Sequence, residues 1–164
     1  MPSGQRSQTA LIGVGLVAGI VQIAAGVGMY LAGVYFAPWS MIVSLVVLLS
    51  CIILGTHWYA TNCLNGQITY GQAAGAGIAI SVATGLCYAA YNVVSISYFY
   101  PHFIDDMTQA AMARAAAVPA AQAVLAAAQS EITASSIAIG NCVRLSVFGT
   151  VLSLVSALFL KRPK

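Results

Sequence analysis

Four long apolar runs dominate this chain and leave few folds open to it. The first, from about Thr9 to Val34, contains no charged residue at all. The second covers about 41–59, the third about 70–98 and the fourth about 136–160. A helix rises 1.5 Å per residue, so about 20 such residues cross a hydrocarbon core of about 30 Å. Only 5% of the residues are charged and mean hydropathy is +0.91, against about 25% charge in a soluble domain. That is too little charge to cover a water-exposed surface. The expected fold is an all-α membrane protein, a four-transmembrane-helix bundle forming one membrane domain over 1–164. Its main solvent is the lipid bilayer.

The first run is much longer than the h-region of a signal peptide, about 7–15 residues, and reads as a retained span. Aromatic residues collect at the run ends, at Tyr35, Phe36, Trp39, Trp58, Tyr59, Tyr70, Tyr98, Phe99 and Tyr100. Amphipathic rings prefer this headgroup depth.

Residues of about 103–135 are alanine-rich but do not read as a fifth span. Arg114 would cost about 2.5–3.5 kcal/mol at mid-membrane. Pro119 would break the hydrogen-bond ladder, and Gln122, Gln129 and Glu131 would add polar groups that lipid cannot satisfy. High alanine helix propensity predicts a helical loop outside the bilayer. Asp105 and Asp106 suit the first turn of its helix, and Pro119 the start of a second half. Arg6, Lys161, Arg162 and Lys164 place four basic residues at the chain ends, while the loop holds only Arg114. The positive-inside rule then puts both termini in the cytoplasm and the loop outside. The same placement, at membrane flanks, argues against a nucleic-acid partner.

Helices in lipid are held by close packing and hydrogen bonds, so small residues mark candidate contact faces. Gly15 and Gly19, with Gly26, Gly28 and Gly33 beyond them, mark the first span. Gly71, Gly75, Ala79, Ala83 and Cys87 recur at every fourth position of the third. Beside them runs a second ladder of Gly77, Ser81, Gly85 and Ala89, so the third span is expected to have neighbours on two sides. The fourth span offers Ser146, Thr150, Ser153 and Ala157. Such faces join helices within a bundle or join two copies of it. The second span is mostly large and aliphatic and is expected at the lipid side.

The intramembrane polar residues Gln22, Gln72, Asn92, Asn141 and Arg144, with Tyr88 and Tyr91, are the candidates for function. No Asp or Glu falls within a span, which disfavours proton- or sodium-coupled transport. Arg144 lies seventeen residues before Lys161, about 25 Å along a straight helix, and hence about 5 Å from the far interface of a core about 30 Å thick. There it snorkels or bonds a carbonyl, or it contacts a lipid phosphate, an external acidic group, or Asp105 or Asp106. His102, Asp105 and Asp106 share one side of a helical turn, a weak candidate for a divalent cation and equally an ordinary acidic helix start. His57, beside Trp58 and Tyr59, reads as interfacial. Cys51, Cys63, Cys87 and Cys142 lack Cys-x-x-Cys spacing and read as small apolar filler. No nucleophile elbow, P-loop, metalloprotease or dinucleotide pattern is present. No enzyme activity, cofactor or metal is expected.

The segment Asn65-Gly66-Gln67-Ile68-Thr69-Tyr70-Gly71-Gln72-Ala73 resembles the turn between the second and third helices of the bacterial domain-of-unknown-function 4199 family. So do Tyr91-Asn92 at the end of a glycine-rich helix, the cluster Tyr100-Pro101-His102-Phe103, and the tail from Ser156 to Arg162. The resemblance covers nearly the whole chain, rests on the order and spacing of short motifs, and implies four spans. It supplies no activity and no site residues. Relatives carry many Glu and Lys in the loop, where this chain has alanine; that departure suggests a loop covered by a partner. Two functions follow as expectations. One is a non-catalytic accessory or scaffold subunit of a larger membrane complex in the bacterial inner membrane. The other is a small homo-oligomeric transporter or permease-like module lined by Gln22, Gln72, Asn92 and Asn141.

Overall fold

The computed structural model describes residues 3–100, 102–115 and 132–160. Its helices are α1 (Ser3–Leu31), α2 (Ser40–Cys63), α3 (Tyr70–Val94, continued by a π-helical turn at Ser95–Phe99), α4 (Phe103–Ala115) and α5 (Ala134–Leu160). Among the described residues, four helices are long and apolar enough to cross a membrane: Gln8–Leu31, Ser40–Cys63, Tyr70–Phe99 and Ala134–Leu160. The fold is all-helical among the described residues, and the protein is a multi-pass membrane protein. Pro101, Pro119, Gln122, Gln129, Glu131, Lys161, Arg162 and Lys164, and the side chains of Arg6 and Arg114, lie outside the described residues.

Backbone chemistry sets where the helices stop. Gly33 adopts φ +70°, and the Val34 and Gly33 amides donate back to the carbonyls of Met29 and Tyr30 at 3.0 and 2.9 Å. This is the Schellman arrangement, which needs a left-handed residue. Gly33 therefore ends α1 instead of packing against a neighbour. After α2, Asn65 and Gly66 are both left-handed, at φ 52° and 79°, and the Gly66 amide donates to Ala60 O at 2.9 Å. Thr69 then caps α3: its hydroxyl accepts from the Gln72 amide, and the Gln72 side chain accepts from the Thr69 amide at 3.0 Å. Thr133 and Ser136 exchange the equivalent pair of bonds at the start of α5, at 3.1 and 2.9 Å.

Helix α3 is the packing centre, touching α1, α2 and α5. Against α1, Gly15 meets Ala83 so closely that no Cβ fits, and a Cβ on Gly19 would stand 2.7 Å from that of Cys87. Toward α5, a Cβ on Gly77 would lie 2.6 Å from Ser153 Oγ, Gly149 sits directly on Ser81, and a Cβ on Gly85 would lie 3.2 Å from the Cys142 carbonyl. Three buried hydroxyls along these contacts donate to nearby carbonyls. Ser81 donates to Gly77 O at 2.8 Å and Ser153 to Gly149 O at 2.6 Å. Thr84 donates to Ile80 O at 2.8 Å and, across the helices, to Gly15 O at 3.2 Å.

Two sequence expectations about packing need correction. Gly71 and Gly75 face open space, although they share a ladder with Ala79 and Ala83. At 3.6 residues per turn, each fourth residue turns about 40° further round the helix, so three steps separate Gly71 from Ala83 by about 120°. Helix α2 is also not confined to the lipid side. Its Leu48 and Ile52 are fully buried against α3 and α5 neighbours, while Ile42, Val46 and Leu54 face outward. Large aliphatic side chains suit both surroundings, so composition alone did not separate them.

Candidate functional site

All four spans meet around one polar cavity of about 110 Å³ at the end of the bundle that carries the α1–α2 turn. Gln22, Gly26 and Met29 come from α1, Tyr35 and Ser40 from the turn and the first residue of α2, Ser44 from α2, Tyr88 from α3 and Arg144 from α5. Each arrives for a local reason. Gln22, Gly26 and Met29 share one stripe of α1 at spacings of four and three residues. Gly26 leaves room for a neighbour: a Cβ there would lie 3.0 Å from the Tyr88 hydroxyl.

Gln22 is buried, 3% exposed. Its Nε2 donates to Ser44 Oγ at 2.5 Å and weakly to the Ser44 carbonyl at 3.4 Å. Its Oε1 has no hydrogen-bond partner. A buried amide oxygen without a partner costs about 1–3 kcal/mol, so the site is built around one unmet group. The hydroxyls of Tyr35 and Tyr88 stand 3.5 Å apart beside it.

Arg144 is half-buried and lines the same cavity. Among the described residues it has no hydrogen bond or ion pair, and neither Asp105 nor Asp106 reaches it. The cavity therefore holds one permanent positive charge, several neutral groups able to donate, and no lining carboxylate.

An aromatic cluster adjoins the cavity. Phe103, the first residue of α4, is 7% exposed and packs against Tyr30, Tyr35 and Phe36 with ring centroids 5.8, 5.5 and 5.6 Å apart. Tyr100 meets Tyr30 edge-on at 4.9 Å. The Tyr30 hydroxyl donates to Asp106 at 3.1 Å, which ties α4 down. The π-turn that precedes this cluster closes with the Tyr100 amide donating to Ser95 O at 2.8 Å. A five-residue reach in place of four re-aims the chain at the end of a helix.

The other sequence candidates fall in different places. Gln72 is exposed and committed to the α3 cap, not to the membrane interior. Asn92 is buried and donates to Tyr88 O at 2.9 Å. Asn141 is half-buried and lies outside the polar cavity. His102 and Asp105 are exposed and 3.8 Å apart, while Asp106 is turned to Tyr30. Among the described residues no three His, Cys, Asp or Glu side chains gather for a metal ion. His57 is exposed, and all four cysteines are free. Sequence reasoning missed Tyr35 and Ser44. Ser44 did carry a signal, as a hydroxyl early in a largely aliphatic run.

A family model described as "Protein of unknown function (DUF4199)" matches residues 13–162. The chain belongs to the DUF4199 family. No curated protein and no solved structure matches it. In this DUF4199 protein, the segment Asn65–Ala73 does structural work: two left-handed turn residues, a core plug at Ile68, which is 2% exposed, and a capping box. This segment thus builds the α2–α3 hairpin. The cavity lies toward the opposite ends of those two helices.

Proposed function

We propose that this DUF4199 protein is a non-catalytic accessory subunit of the bacterial inner membrane that holds a transmembrane helix of a partner protein between α1 and α2. Both termini lie in the cytoplasm, and α4 lies outside the bilayer. The observation that carries this reading is a long apolar groove of about 820 Å³ between those helices. Val14 meets Gly55 at its floor with Ala18 beside them, and Val17, Leu54 and Trp58 stand exposed on its walls. Ala10 and Gly13 open one edge, and a Cβ on Gly13 would meet nothing within 4 Å. In lipid, small residues beside a concave apolar surface let a second backbone approach closely, and close packing drives helix association there.

The transport reading draws less support. Of its four lining residues, only Gln22 lies in the polar cavity, while Gln72 serves a cap and Asn92 a backbone carbonyl.

Photo-crosslinkers at Val17 and Leu54, activated in native membranes at native expression, test the proposal. A discrete adduct with a different membrane protein is expected, lost when Gly13→Leu fills the groove in a chain that remains folded. Adducts with lipid alone overturn it, and adducts between two copies favour the homo-oligomeric alternative.

A further inference from the structure

The geometry points to a second, separate property: the polar cavity binds a tetrahedral oxyanion of the phosphate class. Arg144 supplies a charge that no described carboxylate neutralises, in a site shared by all four spans. An ionised group held partly out of water requires a counter-charge or hydration, and among the described residues none supplies Arg144 with a counter-charge.

The neutral lining narrows the ligand further. The Tyr35 and Tyr88 hydroxyls, 3.5 Å apart, are each able to donate. Gln22 presents one free end. With Nε2 on Ser44, its Oε1 accepts from a protonated oxyanion or an attached hydroxyl. With the amide turned over, Ser44 donates to Oε1 and Nε2 donates to the anion. A halide would satisfy the charge but leave the spread of donors unused. A carboxylate has two coplanar oxygens, which a guanidinium fork takes up together. Oxygens pointing in four directions suit groups arriving from α1, the α1–α2 turn, α3 and α5. A cavity of about 110 Å³ takes such a group with few further atoms.

Phosphate oxygens reach this depth from two sources, the headgroup of a membrane lipid or free phosphate. Native mass spectrometry and a thermal-unfolding titration separate them. Protein purified in detergent is examined with its retained lipid, then titrated with inorganic phosphate and, in nanodiscs, with phosphatidylglycerol in a phosphatidylcholine background. A lipid source is expected to show one retained phospholipid per chain and a saturable response to phosphatidylglycerol. A free-phosphate source is expected to show a saturable shift with inorganic phosphate that chloride at matched ionic strength does not reproduce. Either pattern supports the site, provided Arg144→Gln weakens the response at least tenfold. The Tyr35→Phe and Tyr88→Phe pair, which keeps the volume, should weaken it by a smaller factor. The wild-type titration stands even if Arg144→Gln does not fold. No saturable response of the wild-type protein to either probe overturns the inference, as does an undiminished response in Arg144→Gln.

Discussion

A Cβ placed on Gly77 of α3 would lie 2.6 Å from Ser153 Oγ and 2.7 Å from Ser153 Cβ on α5. The two helices touch at that point through backbone and one hydroxyl, and Ser153 has already turned that hydroxyl onto Gly149 O. The side chain cannot retreat without giving up a bond it needs in an apolar setting.

Gly77→Ala is therefore expected to destabilise the protein by about 1–3 kcal/mol through overpacking. Gly75→Ala, two residues away with nothing within 4 Å of its Cβ, should be neutral or up to about 1 kcal/mol more stable from helix propensity. Unfolding in mixed micelles reads both. Equal effects at the two positions would refute the assigned face of α3.

At the α2–α3 turn, Gly66→Ala puts a side chain on a residue at φ 79° and should cost about 1 kcal/mol or more. Thr69→Ala removes one arm of the capping box and should cost about 0.5–2 kcal/mol. Hydrogen exchange in the first turn of α3 is expected to rise in both variants. Gly71→Ala, which meets open space, serves as the control.

The aromatic cluster predicts how α4 is attached. Phe103→Ala deletes the ring that touches Tyr30, Tyr35 and Phe36, at a cost of about 3–5 kcal/mol for a buried phenylalanine. Amide protection over Phe103–Ala115 should collapse while α3 and α5 stay protected. Tyr30→Phe removes only the bond to Asp106 and should produce a smaller loss, on the order of 1 kcal/mol. An undisturbed α4 in both variants would mean that other contacts hold it.

Topology has its own probe. Cys63 is exposed at the end of α2, while the other three cysteines are half-buried. With both termini cytoplasmic, Cys63 should resist a membrane-impermeant maleimide in spheroplasts and react in inverted vesicles. The reverse pattern would invert the orientation.

What the sequence determined by itself was the class of solvent and the number of crossings, because both depend on sums along the chain. Long uncharged runs cannot face water, and four described helices are long and apolar enough to cross a membrane. Small residues also located Gly15 and Gly19 at a contact. Which face a residue takes was a different matter. A step of four drifts about 40° round a helix, so one ladder held both the open Gly75 and the packed Ala83. Composition likewise could not tell Leu48 in the core from Leu54 in the groove. Polar residues show the same limit. Gln22 and Gln72 read alike along the chain, yet one is spent on a helix cap and the other faces Ser44, Tyr88 and Arg144 across three helices. Only tertiary packing brings those groups together, because each is far from the others in sequence and near them only once α3 has taken neighbours on both sides.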